Sequence, residues 1–111
     1  MKRLVKATGY SLMGLKAAWG SEPAFRLEVI LFVILAPIGV WLGQTGLERA
    51  VLVGSLFLVL IAELVNSGLE AAIDRVGEET HPLSKKAKDV GSAAVFVSLA
   101  NVIGTWMLII L

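Results

Sequence analysis

The chain has 111 residues with a formal net charge of +1, and 57% of its residues are hydrophobic. At a mean hydropathy of +0.82 it cannot be a water-soluble monomer, because a soluble domain of this length buries only about two-thirds of its unfolded surface. Disorder is excluded too, since it needs low hydrophobicity and high net charge, and the absence of cysteine removes disulfides, thiolate metal sites and cysteine nucleophiles.

Residues 1–20 read as an amphipathic helix. Leu4, Val5, Thr8, Leu12, Leu15 and Trp19 recur at steps of three and four, while Lys2, Lys6 and Lys16 fall on other faces. Such a helix lies in the headgroup layer of a membrane; the alternative is an extra helix packed on the rest. Met1 to Lys6 is followed by neither an apolar run nor a small-residue cleavage site, so no secretory leader is expected.

Residues 29–47 carry no charge, and at about 1.5 Å per residue that run is long enough to cross a bilayer. A first span is therefore expected over 24–46, bent by Pro37 and ended by the Gly43 to Gly46 turn. The next uncharged run, 50–62, covers only about 20 Å. A spanning helix over 49–76 must then carry Glu63 below the membrane surface. Residues 91–111 are again uncharged and cover about 31 Å, within a third span expected over 84–111. The predicted architecture is all-α and integral to the membrane, a single domain over 1–111.

Basic residues orient it. Lys2, Arg3, Lys6, Lys16 and Arg26 precede the first span, and Arg75, Lys85, Lys86 and Lys88 lie between the second and third, leaving Arg49 alone in the first connection. The positive-inside rule then places the N-terminus and the second connection in the cytoplasm.

The unusual chemistry lies on the second span. Glu63, Asn66, Glu70 and Asp74 fall at about 0°, −60°, −20° and +20° on a helical wheel, a polar stripe about 80° wide. Ionisable groups at membrane depth are costly and usually face a protein or water-filled interior. They would otherwise snorkel to water or pair with Arg26 and Arg75. Lys85, Lys88 and Ser92 share about 60° of the third helix, so they point one way. Pro82 keeps His81 non-helical, and a lone histidine in such a connection is more often solvated than a ligand. Carboxylates with lysines at a membrane surface suit a divalent metal and phosphate, although no phosphate-binding glycine loop occurs.

The stretch from Glu63 to Arg75, Glu-Leu-Val-Asn-Ser-Gly-Leu-Glu-Ala-Ala-Ile-Asp-Arg, resembles the E-x-x-N-[ST]-x-[LIV]-E-x-x-[LIV]-D signature of the prokaryotic diacylglycerol kinase family. Ala87 to Val95 is similar to that family's second block. Gly9-Tyr10-Ser11, Gly14 to Trp19, Glu22 and Ala24-Phe25-Arg26 resemble its surface helix and the start of its first span, so the likeness covers essentially the whole chain.

The resemblance implies a domain-swapped homotrimer with shared active sites in a bacterial inner membrane. It transfers the γ-phosphoryl group of ATP to diacylglycerol, giving phosphatidate, with Mg²⁺ as cofactor and no nucleic-acid partner. It implies Glu63 as general base, Asn66 holding phosphates, and Glu22 with Glu70 as metal ligands. Lys88 would stabilise phosphoryl charge, and Arg3, Tyr10, Asp74, Glu79, His81 and Asp89 would line the nucleotide site. The lipid headgroup would lie near Arg3, Arg26, Glu28, Glu63 and Ser92. Undecaprenol kinase shares the signature and the chemistry. A small transporter using Glu63 as an intramembrane carboxylate is the reading from another class.

Overall fold

The computed structural model describes residues 1–77 and 81–111. All regular structure among them is α-helical: α1 (Lys2–Ser21), α2 (Pro23–Leu42), α3 (Gly46–Val76) and α4 (Pro82–Ile110). The last three are long and apolar enough to cross a membrane. At 1.5 Å per residue α2 measures about 30 Å, just the hydrocarbon thickness, whereas α3 and α4 reach about 46 and 43 Å. The C-terminal turns of α3 and the N-terminal turns of α4 therefore project together from the same side of the membrane. Measured from Gly46, Glu63 is about 26 Å along α3, inside the far edge of a slab about 30 Å thick.

The connections are built from local chemistry. A single non-helical residue, Glu22, joins α1 to α2: its N–H donates to Ala18 O at 2.9 Å and its carbonyl accepts from Arg26 N at 3.2 Å. Pro23 at the start of α2 needs no N–H partner. Arg26 Nη1 donates to Trp19 O at 2.7 Å and Gly20 O at 3.4 Å, satisfying carbonyls that the end of α1 would leave open. Between α2 and α3, Thr45 Oγ1 accepts from Glu48 N at 3.1 Å while Glu48 Oε1 accepts from Gln44 N at 2.9 Å, a reciprocal arrangement close to a capping box. Arg49 Nε ties the turn to Val40 O at 3.0 Å. Gly77 ends α3 at φ 79°, a left-handed conformation that side chains resist. Extended His81 starts α4, its Nδ1 accepting from Leu83 N at 3.1 Å.

Helix α3 packs against both α2 and α4 and holds most of the buried residues: Leu52, Ser55, Leu56, Val59, Glu63 and Asn66. Polar groups within the spans find partners. Trp106 Nε1 on α4 donates to Leu52 O at 3.2 Å and Ser55 Oγ at 3.1 Å, which matters where no water can substitute. Phe32 and Phe57 meet edge to face with centroids 4.6 Å apart. Most large apolar side chains on the outer faces, Phe96 and Leu108 among them, are exposed, as expected of surfaces covered by lipid or by other subunits rather than by this chain.

Candidate functional site

Glu63 and Asn66 anchor the site. They are 6% and 9% exposed, although both are polar and both lie on α3, one of the three helices long and apolar enough to cross a membrane. Residues three and four apart share a helix face, so the stripe read from the sequence continues outward: Glu70 is half-buried and Asp74 exposed. Burial therefore falls along the stripe toward the C-terminal end of α3.

Three other segments converge on it. From α2, Glu28 brings its carboxyl within hydrogen-bonding reach of Glu63, while its own Oε1 is buried with no partner among the described residues. Glu28 also lines a small apolar cavity together with Phe32, Leu56, Val59 and Leu99. From the joint between α1 and α2, Glu22 accepts a 2.8 Å hydrogen bond from Ser67 Oγ on α3. The carboxylates of Glu22 and Glu70 both lie close enough for their charge to act on Glu63, and the Asn66 amide is within hydrogen-bonding reach of it.

From α4, Gly91 passes directly over Asn66. A Cβ at position 91 would collide with Asn66 Oδ1 and approach Leu69 Cδ2 to 3.1 Å, so only glycine lets the two helices come this close. Asn66 Oδ1 is buried there without a hydrogen-bond donor among the described residues, an orphaned acceptor that costs free energy unless a further group meets it.

Further out, Lys88 Nζ of α4 pairs with Asp74 Oδ1 of α3 at 2.6 Å. Lys85 pairs along its own helix with Asp89, also at 2.6 Å. The shared direction expected for Lys85, Lys88 and Ser92 is thus divided: Lys88 reaches across to α3, Lys85 turns to its own fourth neighbour, and Ser92 is exposed. Asp74 takes Lys88 rather than Arg75 as partner, and Arg26 serves the end of α1. His81 caps α4, and Arg3 and Tyr10 stand exposed on α1. Glu79 lies outside the described residues.

The sequence reading assigned no role to Ser67 or Gly91. Ser67 stands at about +40° from Glu63 on the wheel, about 20° beyond the Asp74 edge of the polar stripe; its nearness to the stripe was the available sign. Nothing in the order of residues along α4 announces that Gly91 lies over Asn66.

Among the described residues no cage of three or more His, Cys, Asp or Glu side chains could enclose a metal ion. The pair Glu22 and Glu70 nevertheless suits Mg²⁺, which keeps several waters and is commonly held by one or two carboxylates plus substrate phosphates. Ser67 occupies Glu22 Oε1, and among the described residues no hydrogen bond engages the second oxygen, which could meet such an ion.

Three helices long and apolar enough to cross a membrane, with a buried acidic pocket on α3 and a lysine–aspartate pair just beyond it, define a multi-pass membrane protein that carries a polar site. Residues 9–110 match the family model described as prokaryotic diacylglycerol kinase. The chain is 50% identical over 111 residues to a diacylglycerol kinase of Pseudomonas aeruginosa, covering 100% of this chain and 90% of that one. It is 44% identical over 108 residues to that of Escherichia coli, covering 97% and 88%, and 47% identical over 98 residues to that of Helicobacter pylori, covering 88% and 77%. The chain belongs to the prokaryotic diacylglycerol kinase family.

Proposed function

We propose that this protein transfers the γ-phosphoryl group of ATP to the hydroxyl of 1,2-diacylglycerol, producing phosphatidate and ADP at the cytoplasmic face of a bacterial inner membrane. The observation that carries the site assignment is Glu63, a buried carboxyl at membrane depth, set among groups that suit phosphates and a divalent ion. A lipid alcohol never leaves the membrane, so its base must lie below the headgroups, and nucleotide phosphates must be met just above them.

Glu63 takes the proton from the lipid hydroxyl as its oxygen attacks the γ-phosphorus, and the bond to the β-phosphate oxygen breaks to release ADP. Phosphoryl transfer is governed by positioning and charge neutralisation. Asn66 meets the phosphates through the amide that faces this pocket. Lys88 stabilises charge on the transferring group, with Asp74 setting the position of its ammonium. Arg3, Tyr10, Glu79, His81 and Asp89 extend the nucleotide site outward, and Arg3, Arg26, Glu28 and Ser92 border the lipid headgroup. Mg²⁺ held by Glu22 and Glu70 would neutralise the polyphosphate.

The active unit is a homotrimer in which neighbouring subunits complete each site. Its physical motive is the amount of apolar surface on α4, which buries only Ser98 within its own chain. The N-terminus is cytoplasmic, in keeping with nine basic residues on that side and Arg49 alone on the other.

Purified protein in micelles, given Mg²⁺ and γ-labelled ATP with either dioleoylglycerol or undecaprenol, tests this. Label should enter dioleoylglycerol. Label confined to undecaprenol would replace the substrate, and label in neither lipid would overturn the kinase reading.

A further inference from the structure

Ser67 differs from five other hydroxyl residues of these helices, and from Thr105, whose hydroxyl donates to Asn101 Oδ1 on its own helix at 3.5 Å. Thr8, Ser11 and Ser21 each donate to the carbonyl four residues back, and Ser55 and Ser98 to the carbonyl three back. That is the ordinary fate of a hydroxyl within a helix, since the backbone acceptor is always at hand. Ser67 instead reaches out of α3 to Glu22 Oε1 at 2.8 Å, across 45 residues of sequence.

Glu22 is the residue that needs such a hold. It is the only non-helical position between α1 and α2, and its side chain caps neither helix. A carboxylate on a one-residue joint has several rotamers and an open choice between water and the N-terminal N–H groups of α2. The Ser67 hydroxyl removes that choice. On α3, Ser67 stands at about +40° from Glu63 and Glu70 at about −20°. A carboxylate held by Ser67 is therefore delivered to the face that carries Glu70. One oxygen is engaged and the other remains available.

We propose that Ser67 is a positioning residue for divalent-metal binding, its hydroxyl fixing the Glu22 carboxylate on the Glu70 face of α3. The inference rests on the reading of Glu22 and Glu70 as the metal pair. Partners that orient a ligating carboxylate are worth about 10–100-fold in metal affinity, and this contact sits at the lower end of that range because it orders one ligand of two.

The test uses the purified full-length protein and its S67A, S67T, E22Q, E70Q and E22Q/S67A variants. Mn²⁺ binding is followed by electron paramagnetic resonance with a non-hydrolysable ATP analogue, and the Mg²⁺ dependence of turnover and the thermal unfolding midpoint are measured alongside. S67A is expected to weaken Mn²⁺ binding about tenfold and to raise the Mg²⁺ requirement in parallel, with turnover at saturating Mg²⁺ changed only a few-fold. S67T should restore affinity, and E22Q/S67A should bind no more weakly than E22Q. If E22Q and E70Q lower Mn²⁺ affinity while S67A does not, the positioning role is overturned and the metal pair stands. Loss of thermal stability in S67A with unchanged Mn²⁺ affinity likewise makes the contact a helix fastening only. Unchanged affinity in both E22Q and E70Q overturns the metal pair, and the role of Ser67 with it.

Discussion

Lys88 and Asp74 form a 2.6 Å ion pair that joins the first turns of α4 to the last turns of α3. The ammonium is the less exposed partner, at 27% against 57% for the carboxylate, so Asp74 reaches inward to it from water. An exposed or half-exposed pair of this kind contributes about 0–1 kcal/mol to stability. Its value lies in where it keeps the positive charge.

Replacing Lys88 with Ala should therefore lower kcat by about 10²–10³, the loss seen when one donor to developing transition-state charge is removed. Asp74→Asn should act more weakly, raising the KM for ATP several-fold with stability shifted by less than about 1 kcal/mol. Steady-state kinetics with ATP varied at saturating lipid separates the two. Equal kcat losses in both variants would make the pair an inseparable unit and remove the special role of Lys88.

Glu63→Gln preserves shape and hydrogen-bonding capacity but cannot accept the lipid's proton. Turnover should fall by about 10²–10⁴, the usual contribution of a general base, while the subunit assembly on a sizing column and the binding of an ATP analogue stay unchanged. Turnover within threefold of the parent would refute the assignment.

Gly91→Ala places a methyl group on Asn66 Oδ1. Either Asn66 turns away from the pocket or α4 moves off α3, and both displace the group proposed to meet the phosphates. A loss of turnover greater than tenfold is expected, since misplacement by about 1 Å in a positioned site costs on the order of 10²-fold. Shortening the partner in the double variant Asn66→Ala/Gly91→Ala should relieve the clash without restoring activity, so thermal stability recovers and turnover does not.

Trp106 offers a control at the opposite end of the spans. Trp106→Phe deletes the donor shared by Leu52 O and Ser55 Oγ. Hydrogen bonds between membrane helices average about 0.6 kcal/mol and reach about 1.7, so a loss in that range is expected in reversible unfolding from mixed micelles. Phosphoryl transfer at 25 °C should stay within twofold, because the site lies at the other end of α3.

Much of this molecule is legible along the chain because the controlling rules are local. Uncharged runs mark the spans, since every buried charge is costly in hydrocarbon and every backbone group must be paired within the helix. The 3.6-residue period places Glu63, Asn66, Glu70 and Asp74 on one face without any knowledge of neighbours. Turn chemistry locates the breaks at the Gly43 to Gly46 turn and at His81–Pro82 for the same reason. The sequence also carries the family motif in full, and with it the chemistry proposed above.

What joins one helix to another is another matter. That Glu22 meets Ser67, that Glu28 meets Glu63, that Gly91 lies over Asn66 and that Lys88 chooses Asp74 while Lys85 chooses Asp89 all depend on the rotation, height and crossing of the helices. Those are set by close packing of small and large side chains across the whole length of α2, α3 and α4. A wheel drawn for one helix fixes angles about its own axis and contains no height relative to another. By itself the sequence determined that this is a three-span membrane protein with an acidic stripe and a family motif. Only the tertiary structure decided which carboxylates share that stripe's pocket and which hydroxyl holds one of them, because contacts between helices are properties of their packing and not of their order along the chain.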